Sequence, residues 1–158
     1  MINSYILAFD PSGSFQEGKG TTGWCLMYHG KLIKCGQLSA TNYKTAMEYY
    51  EAHLQLISRM QACYKRNFDV VAEDYLLYAK QATAQINSRM ETCKLIGILQ
   101  YYCWTNHIPF TLQTASLVKR RWTDEILEHE GIELPTTHAE RHARDAIRHA
   151  MHYTYFGG

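Results

Sequence analysis

Residues 5–10 read Tyr-Ile-Leu-Ala-Phe-Asp, and residues 68–73 read Phe-Asp-Val-Val-Ala-Glu. Each is a short, mainly apolar run that closes on an acid. Runs of this length bounded by turn residues predict buried strands. After the first comes a loop rich in Gly, Ser and Pro, PSGSFQEGKG, of the composition that breaks regular structure. The next stretch, TTGWCLMYHGKLIKCGQLS, holds two strand-like runs on either side of His29-Gly30. Gly at that place signals a hairpin turn. The chain therefore opens as a three-stranded meander.

From about Thr41 to Asn67 the apolar spacing turns helical, with Met47, Tyr50, Leu54, Ile57 and Cys63 or Tyr64 as the expected inner face. Thr41 or Asn42 is the expected cap. Residues 80–106 again read as helix, with Ile86, Met90, Cys93, Leu95, Ile96, Leu99 and Tyr102 inward. Ile108 to Leu112 forms a short strand, and Pro109 suits its first residue or an edge. A short helix opens at Thr114 or Ser116 and runs through Lys119, and a further one is allowed within 123–135. Thr137 and Glu140 have capping-box spacing and predict a last helix from about His138 to Tyr155. Its expected apolar face carries Ala139, Ala143, Ala146, Ile147, Ala150 and Met151.

The order βββαβαβα predicts an α/β fold. Its mixed sheet of five strands is an antiparallel meander followed by parallel strands, with helices on both faces. No internal repeat, low-complexity tract or linker interrupts it, so residues 1–158 read as one domain.

Composition narrows the class. Apolar residues make up 46% and charged residues 20%, which is globular rather than disordered. The five cysteines are odd in number and include no CxxC, which argues against a disulfide framework and a zinc ribbon. Reduced thiols, no secretory pattern in MINSYILAFDPS and no run of about 18 apolar residues lead to the expectation of a cytoplasmic protein with no membrane partner. Net charge is only +1, so a nucleic-acid partner must be argued from local clusters. Two exist: Lys119-Arg120-Arg121, and Arg141, Arg144 and Arg148 along the last helix.

The acids carry the chemistry. Asp10 ends the first strand, Glu73 ends the fourth, and Asp145 borders the apolar face of the last helix. If strands one and four are parallel neighbours, their ends open on one cleft, where ligands of α/β sheets gather. Phosphodiester hydrolysis develops charge on a non-bridging and on a leaving oxygen. Two Mg²⁺ ions roughly 4 Å apart stabilise both, held by a few carboxylates and water. Asp10, on the central strand, is the expected bridging ligand. Asp74 points opposite to Glu73 by strand alternation. On the last helix His138, His142, Asp145, His149 and His152 fall within a stripe roughly 80° wide, and His142 is the candidate metal ligand or acid–base group. Gly13 to Lys19 fits GxxxxGK. The next residue is Gly20 rather than Ser or Thr, and a strand rather than a helix follows, which argues against a phosphate-binding loop. A flexible loop beside the cleft, with Lys19 near the substrate, is the expectation.

Ile6 to Ser12 followed by Thr22-Gly23-Trp24 resembles the first hairpin of RuvC-type Holliday junction resolvases. Val70 to Glu73 resembles their second acidic strand, Pro109 to Lys119 their strand and helix bearing a basic residue, and His142-Ala143-Arg144-Asp145-Ala146 their closing helix. The resemblance implies an RNase H-like fold and a homodimeric endonuclease that nicks opposed strands of a four-way DNA junction. It implies metal ligation by Asp10, Glu73, His142 and Asp145, with Mg²⁺ and Mn²⁺ as its substitute, two ions per site. Lys119 would touch phosphate, helped by Arg120 and Arg121. Tyr75, Leu76 and Tyr78 would pack on bases at the junction core. A branch-migration motor is a conceivable further partner. Rival readings are an RNase H-type enzyme cutting RNA–DNA hybrids, a non-catalytic binder of branched DNA, and a nucleotide-binding enzyme using the Gly13–Lys19 loop.

Overall fold

Alternation along β1 (Tyr5–Asp10) decides how the molecule is layered. Leu7 and Phe9 point into one apolar cluster with Tyr49, Ile57, Leu95 and Leu99. Ile6 and Ala8 point into another with Val71, Val118, Leu127, Ile147 and Met151. β1 is buried on both faces, as its uninterrupted apolar run requires. The structure is a computed structural model and describes residues 1–16, 18–64, 67–76 and 90–157.

Around β1 the sheet runs β3-β2-β1-β4-β5, with β2 Thr21–Tyr28, β3 Lys31–Ser39, β4 Phe68–Glu73 and β5 Phe110–Gln113. β1, β2 and β3 are antiparallel, and β1, β4 and β5 are parallel. This is the mixed sheet that the sequence predicts. The β2–β3 turn places both His29 and Gly30 at positive φ, 49° and 71°, the turn whose twist matches its strands. β5 lies at an edge, and Pro109 directly precedes it, where its missing N–H is harmless.

α1 (Ala46–Cys63) and α2 (Glu91–Thr105) cover the first face. α3 (Ala115–Arg121), α4 (Asp124–His129) and α5 (Arg141–Phe156) cover the second. No helix among the described residues is long and apolar enough to cross a membrane.

The boundaries correct several expectations. α1 starts at Ala46 and is capped by the Thr45 side chain, which accepts from Glu48 N–H. Residues 40–42 form a separate 3₁₀ turn instead of the helix start. The inner face of α1 is turned accordingly. Tyr49, His53, Leu56 and Ile57 are buried, and Met47 is exposed. The capping box also resolves differently. The Thr137 hydroxyl donates to the Glu140 carboxylate at 2.5 Å over a 3₁₀ turn, so α5 begins at Arg141 and Ala139 is exposed. The expected helix over 80–106 is seen from Glu91 onward; Ile86 and the rest of 80–89 lie outside the described residues.

Gly23 sets the approach of α5. It pairs with Asp10, and a Cβ there would stand 1.9 Å from the backbone carbon of His142. Only a residue without a side chain lets the start of α5 lie directly on β2, which brings His142 beside the end of β1.

Candidate active site

Phe9 pairs with Ala72, so Asp10 and Glu73 leave two parallel strands side by side. Parity sends both toward α5: Asp10 follows Ile6 and Ala8, and Glu73 follows Val71. α5 crosses this edge and adds His142, Asp145 and His149. α3 adds Lys119 from the end of β5. The sequence-predicted set of Asp10, Glu73, His142, Asp145 and Lys119 is therefore brought to one edge of the sheet.

Each acid is held by a specific partner. His142 Nδ1 lies 2.6 Å from Asp10 Oδ2. Lys119 Nζ stands 3.4 Å from Glu73 Oε2 and 2.9 Å from Asp145 Oδ2. The Arg148 guanidinium donates to Asp145 Oδ1 and Asp124 Oδ1 and, at 3.0 Å, to the Trp122 carbonyl. His149, fully buried, puts Nε2 3.0 Å from Glu73 Oε2.

The electrostatics show how closely the acids interact. Burial pushes the Asp10 carboxyl above its ordinary range. The charges of Glu73 and Asp145 push the same way, against the hydrogen bond to His142. Burial would raise Glu73 as well, but the hydrogen bond to His149 and the charge of Lys119 outweigh it, so Glu73 is lowered. Burial would lower Lys119, and Asp145 and Glu73 instead hold it above the ordinary lysine value. A cation is therefore stabilised between the carboxylates, and its present occupant is the chain's own ammonium.

The donor set suits a hard divalent ion, with three carboxylates and one imidazole. Among the described residues no three His, Cys, Asp or Glu side chains converge at metal-binding distance. Lys119 fills the gap between Glu73 and Asp145, and His142 takes up the inner oxygen of Asp10.

Other expected contacts fall outside this cluster. Lys19 and Arg120 are exposed. Arg121 stacks on Phe156, its guanidinium carbon 3.9 Å from the ring centroid. Of the second basic cluster, Arg144 and Arg148 are spent on Asp124 and Asp145, and Arg141 bonds to His138 at 3.0 Å. Tyr75 is half-buried and Leu76 exposed just past Glu73, whereas Tyr78 lies outside the described residues. The loop after Asp10 is anchored over 12–14. Ser12 N–H bonds to Thr22, Gly13 N–H to Thr92, and the Tyr49 hydroxyl to the Ser12 carbonyl. A Cβ at Gly13 would meet the Glu91 carbonyl at 2.1 Å, so this segment packs directly on α2.

Sequence reading missed Gln113, Asp124, Arg148 and His149 as members of the site. A signal existed for His149: it sits beside Ala146 and Ala150 on the apolar face, one turn past Asp145, where an imidazole needs a buried partner.

No protein-family model and no curated protein matches the chain. Solved structures do match. The Thermus thermophilus RuvC structure aligns over 96% of this chain and 94% of its own, with a TM-score of 0.66 and 15% identity. T. thermophilus RuvC in complex with Holliday junction substrate aligns over 98% and 97%, with a TM-score of 0.66 and 13% identity. The chain has the RNase H-like fold of RuvC-type Holliday junction resolvases.

Proposed function

We propose that this protein is a metal-dependent endonuclease that resolves four-way DNA junctions, acting as a homodimer that places paired nicks. The observation that carries the reading is that Asp10, Glu73 and Asp145 reach one sheet edge, with Lys119 between Glu73 and Asp145, in a fold shared with RuvC. Asp10, Glu73, Asp145 and His142 would hold Mg²⁺ or Mn²⁺, two ions per site. A metal held by these residues would supply charge neutralisation at the scissile phosphate and activation of the attacking water.

The chain's own residues do the rest. His142, with Nδ1 2.6 Å from Asp10 Oδ2, serves either as a metal ligand or, unligated, as the group that gives or takes a proton at the Asp10 edge of the cleft. Lys119 balances the acids before loading and, once displaced, becomes a free cation for a phosphate. Arg148 holds Asp145 by one oxygen and leaves the other toward the cleft. Tyr75 and Leu76 extend beyond Glu73 and supply apolar surface for unstacked bases. Exposed Met47, Tyr101 and Trp104 on α1 and α2 are apolar surface of the kind that marks association, which supports the dimer.

Cleavage of a labelled four-way junction in Mg²⁺, beside linear duplex and RNA–DNA hybrid, tests the reading. Wild-type protein should make symmetric nicks in the junction, and Asp145→Asn should bind it without cutting. Cutting of the hybrid alone would assign the site to RNA–DNA hybrids, and full activity of Asp145→Asn would remove that residue from the centre.

A further inference from the structure

Glu73 is held from inside the sheet. Gln113, the last residue of β5, is its register partner and is buried. His149 lies between the two, fully buried, with Nε2 3.0 Å from Glu73 Oε2 and Nδ1 3.0 Å from Gln113 Oε1. Gln113 Nε2 is buried with no hydrogen-bond partner among the described residues. Amide oxygen and nitrogen are assigned from the network around them rather than from shape. Exchanging them turns the orphaned donor toward His149. Gln113 Nε2–H then donates to His149 Nδ1, and His149 Nε2–H donates to Glu73 Oε2. What is left without a partner is an amide oxygen and no longer an N–H.

We propose that Gln113 and His149 form a buried relay that positions Glu73, fixing its Oε2 so that its Oε1 is presented to a divalent cation. The proposal rests on the reading of Glu73 as a metal ligand. Lys119 also approaches Oε2, and among the described residues no hydrogen bond or ion pair engages Oε1. An imidazole suits the task because its ring is rigid and a singly protonated ring adds no charge. A lysine or arginine at 149 would neutralise a site that has to attract Mg²⁺. Outer partners of this kind set ligand orientation and affinity. α5 thus carries a candidate ligand, Asp145, and one turn later the support of another.

Mn²⁺ binding to the full chain, followed by titration calorimetry, tests this with wild type, Glu73→Gln, His149→Phe and His149→Gln. His149→Phe should weaken binding roughly ten- to a hundredfold. His149→Gln, whose side-chain amide nitrogen can reach the same oxygen, should recover most of that loss. Equal losses in both variants would assign the effect to packing and overturn the relay. Wild-type affinity in both, with binding lost in Glu73→Gln, would overturn the relay and leave the site standing. Unchanged binding in Glu73→Gln would remove the ligand and the relay together. If His149→Phe does not fold, ring-nitrogen NMR of the wild type decides. A proton on Nε2 and a bare Nδ1 are expected, and a proton on Nδ1 alone would contradict the relay.

Discussion

Thr22 and Gly23 are neighbours on β2, yet they serve opposite faces of the sheet. Thr22 faces α1 and anchors a buried neutral network. His53 Nδ1 lies 2.7 Å from the Tyr49 carbonyl, and its Nε2 lies 2.8 Å from Thr22 Oγ1. The same hydroxyl oxygen accepts from Ser12 N–H at 3.1 Å. Gly23 faces α5 and the charged edge with Asp10, Glu73, Asp145 and Lys119. Both networks contain a fully buried histidine, His53 and His149. The first makes its hydrogen bonds to a carbonyl and a hydroxyl, one at each ring nitrogen, so its capacity is used within the fold. The second touches a carboxylate whose other oxygen has no hydrogen-bond or ion-pair partner among the described residues. Burying a polar group makes structure when every partner is internal. It makes a candidate site when charge is left for an outside partner.

The largest expected change in stability comes from emptying the neutral network. Thr22→Val keeps the shape but leaves the His53 ring nitrogen and Ser12 N–H without a partner. The expected loss is about 2–4 kcal/mol, read from urea unfolding. A loss below about 0.5 kcal/mol would show that the network does not hold the segment after Asp10.

His53 should also make stability depend on pH. Burial lowers its pKa from 6.5 to about 4, against the bond to the Tyr49 carbonyl. The folded value lies below the unfolded one, so the unfolded chain binds more protons between them. The stabilisation is complete above about pH 6.5 and is lost as pH falls toward 4, up to about 3 kcal/mol. Unfolding at pH 7 and pH 4.5 should show a steeper fall in wild type than in His53→Gln. Parallel falls would mean that His53 is not the titrating group.

On the other face the sharper probe is Gly23→Ala. Its methyl would displace the start of α5, costing about 1–3 kcal/mol and moving His142 and Asp145 away from Asp10. Junction cleavage should fall much further than stability does. Equal falls would mean that the candidate site tolerates movement of α5.

Much of this arrangement was legible in the sequence. The acids Asp10 and Glu73 stand out because each closes a run buried on both faces, and strand parity fixes which way they point. Asp145 and His142 follow from helical spacing. What stayed hidden depends on distances between elements. Met47 looks as apolar as Tyr49, and only the packing of α1, which starts at Ala46 behind the Thr45 cap, decides which of them faces inward. The basic triplet at 119–121 reads as one cluster, yet a short helix sends Lys119 into the cleft and Arg121 onto Phe156. His149 reads as part of a polar stripe until Gln113 and Glu73 are seen to close around it.

The most direct test of the central claim is single-turnover cleavage of a four-way junction by wild type and Asp10→Asn across a Mg²⁺ titration, with junction binding followed in parallel. The account predicts saturable Mg²⁺ dependence in wild type and cleavage lost by at least about a thousandfold in Asp10→Asn, with binding retained. Metal-independent cleavage, or an active Asp10→Asn, would contradict it.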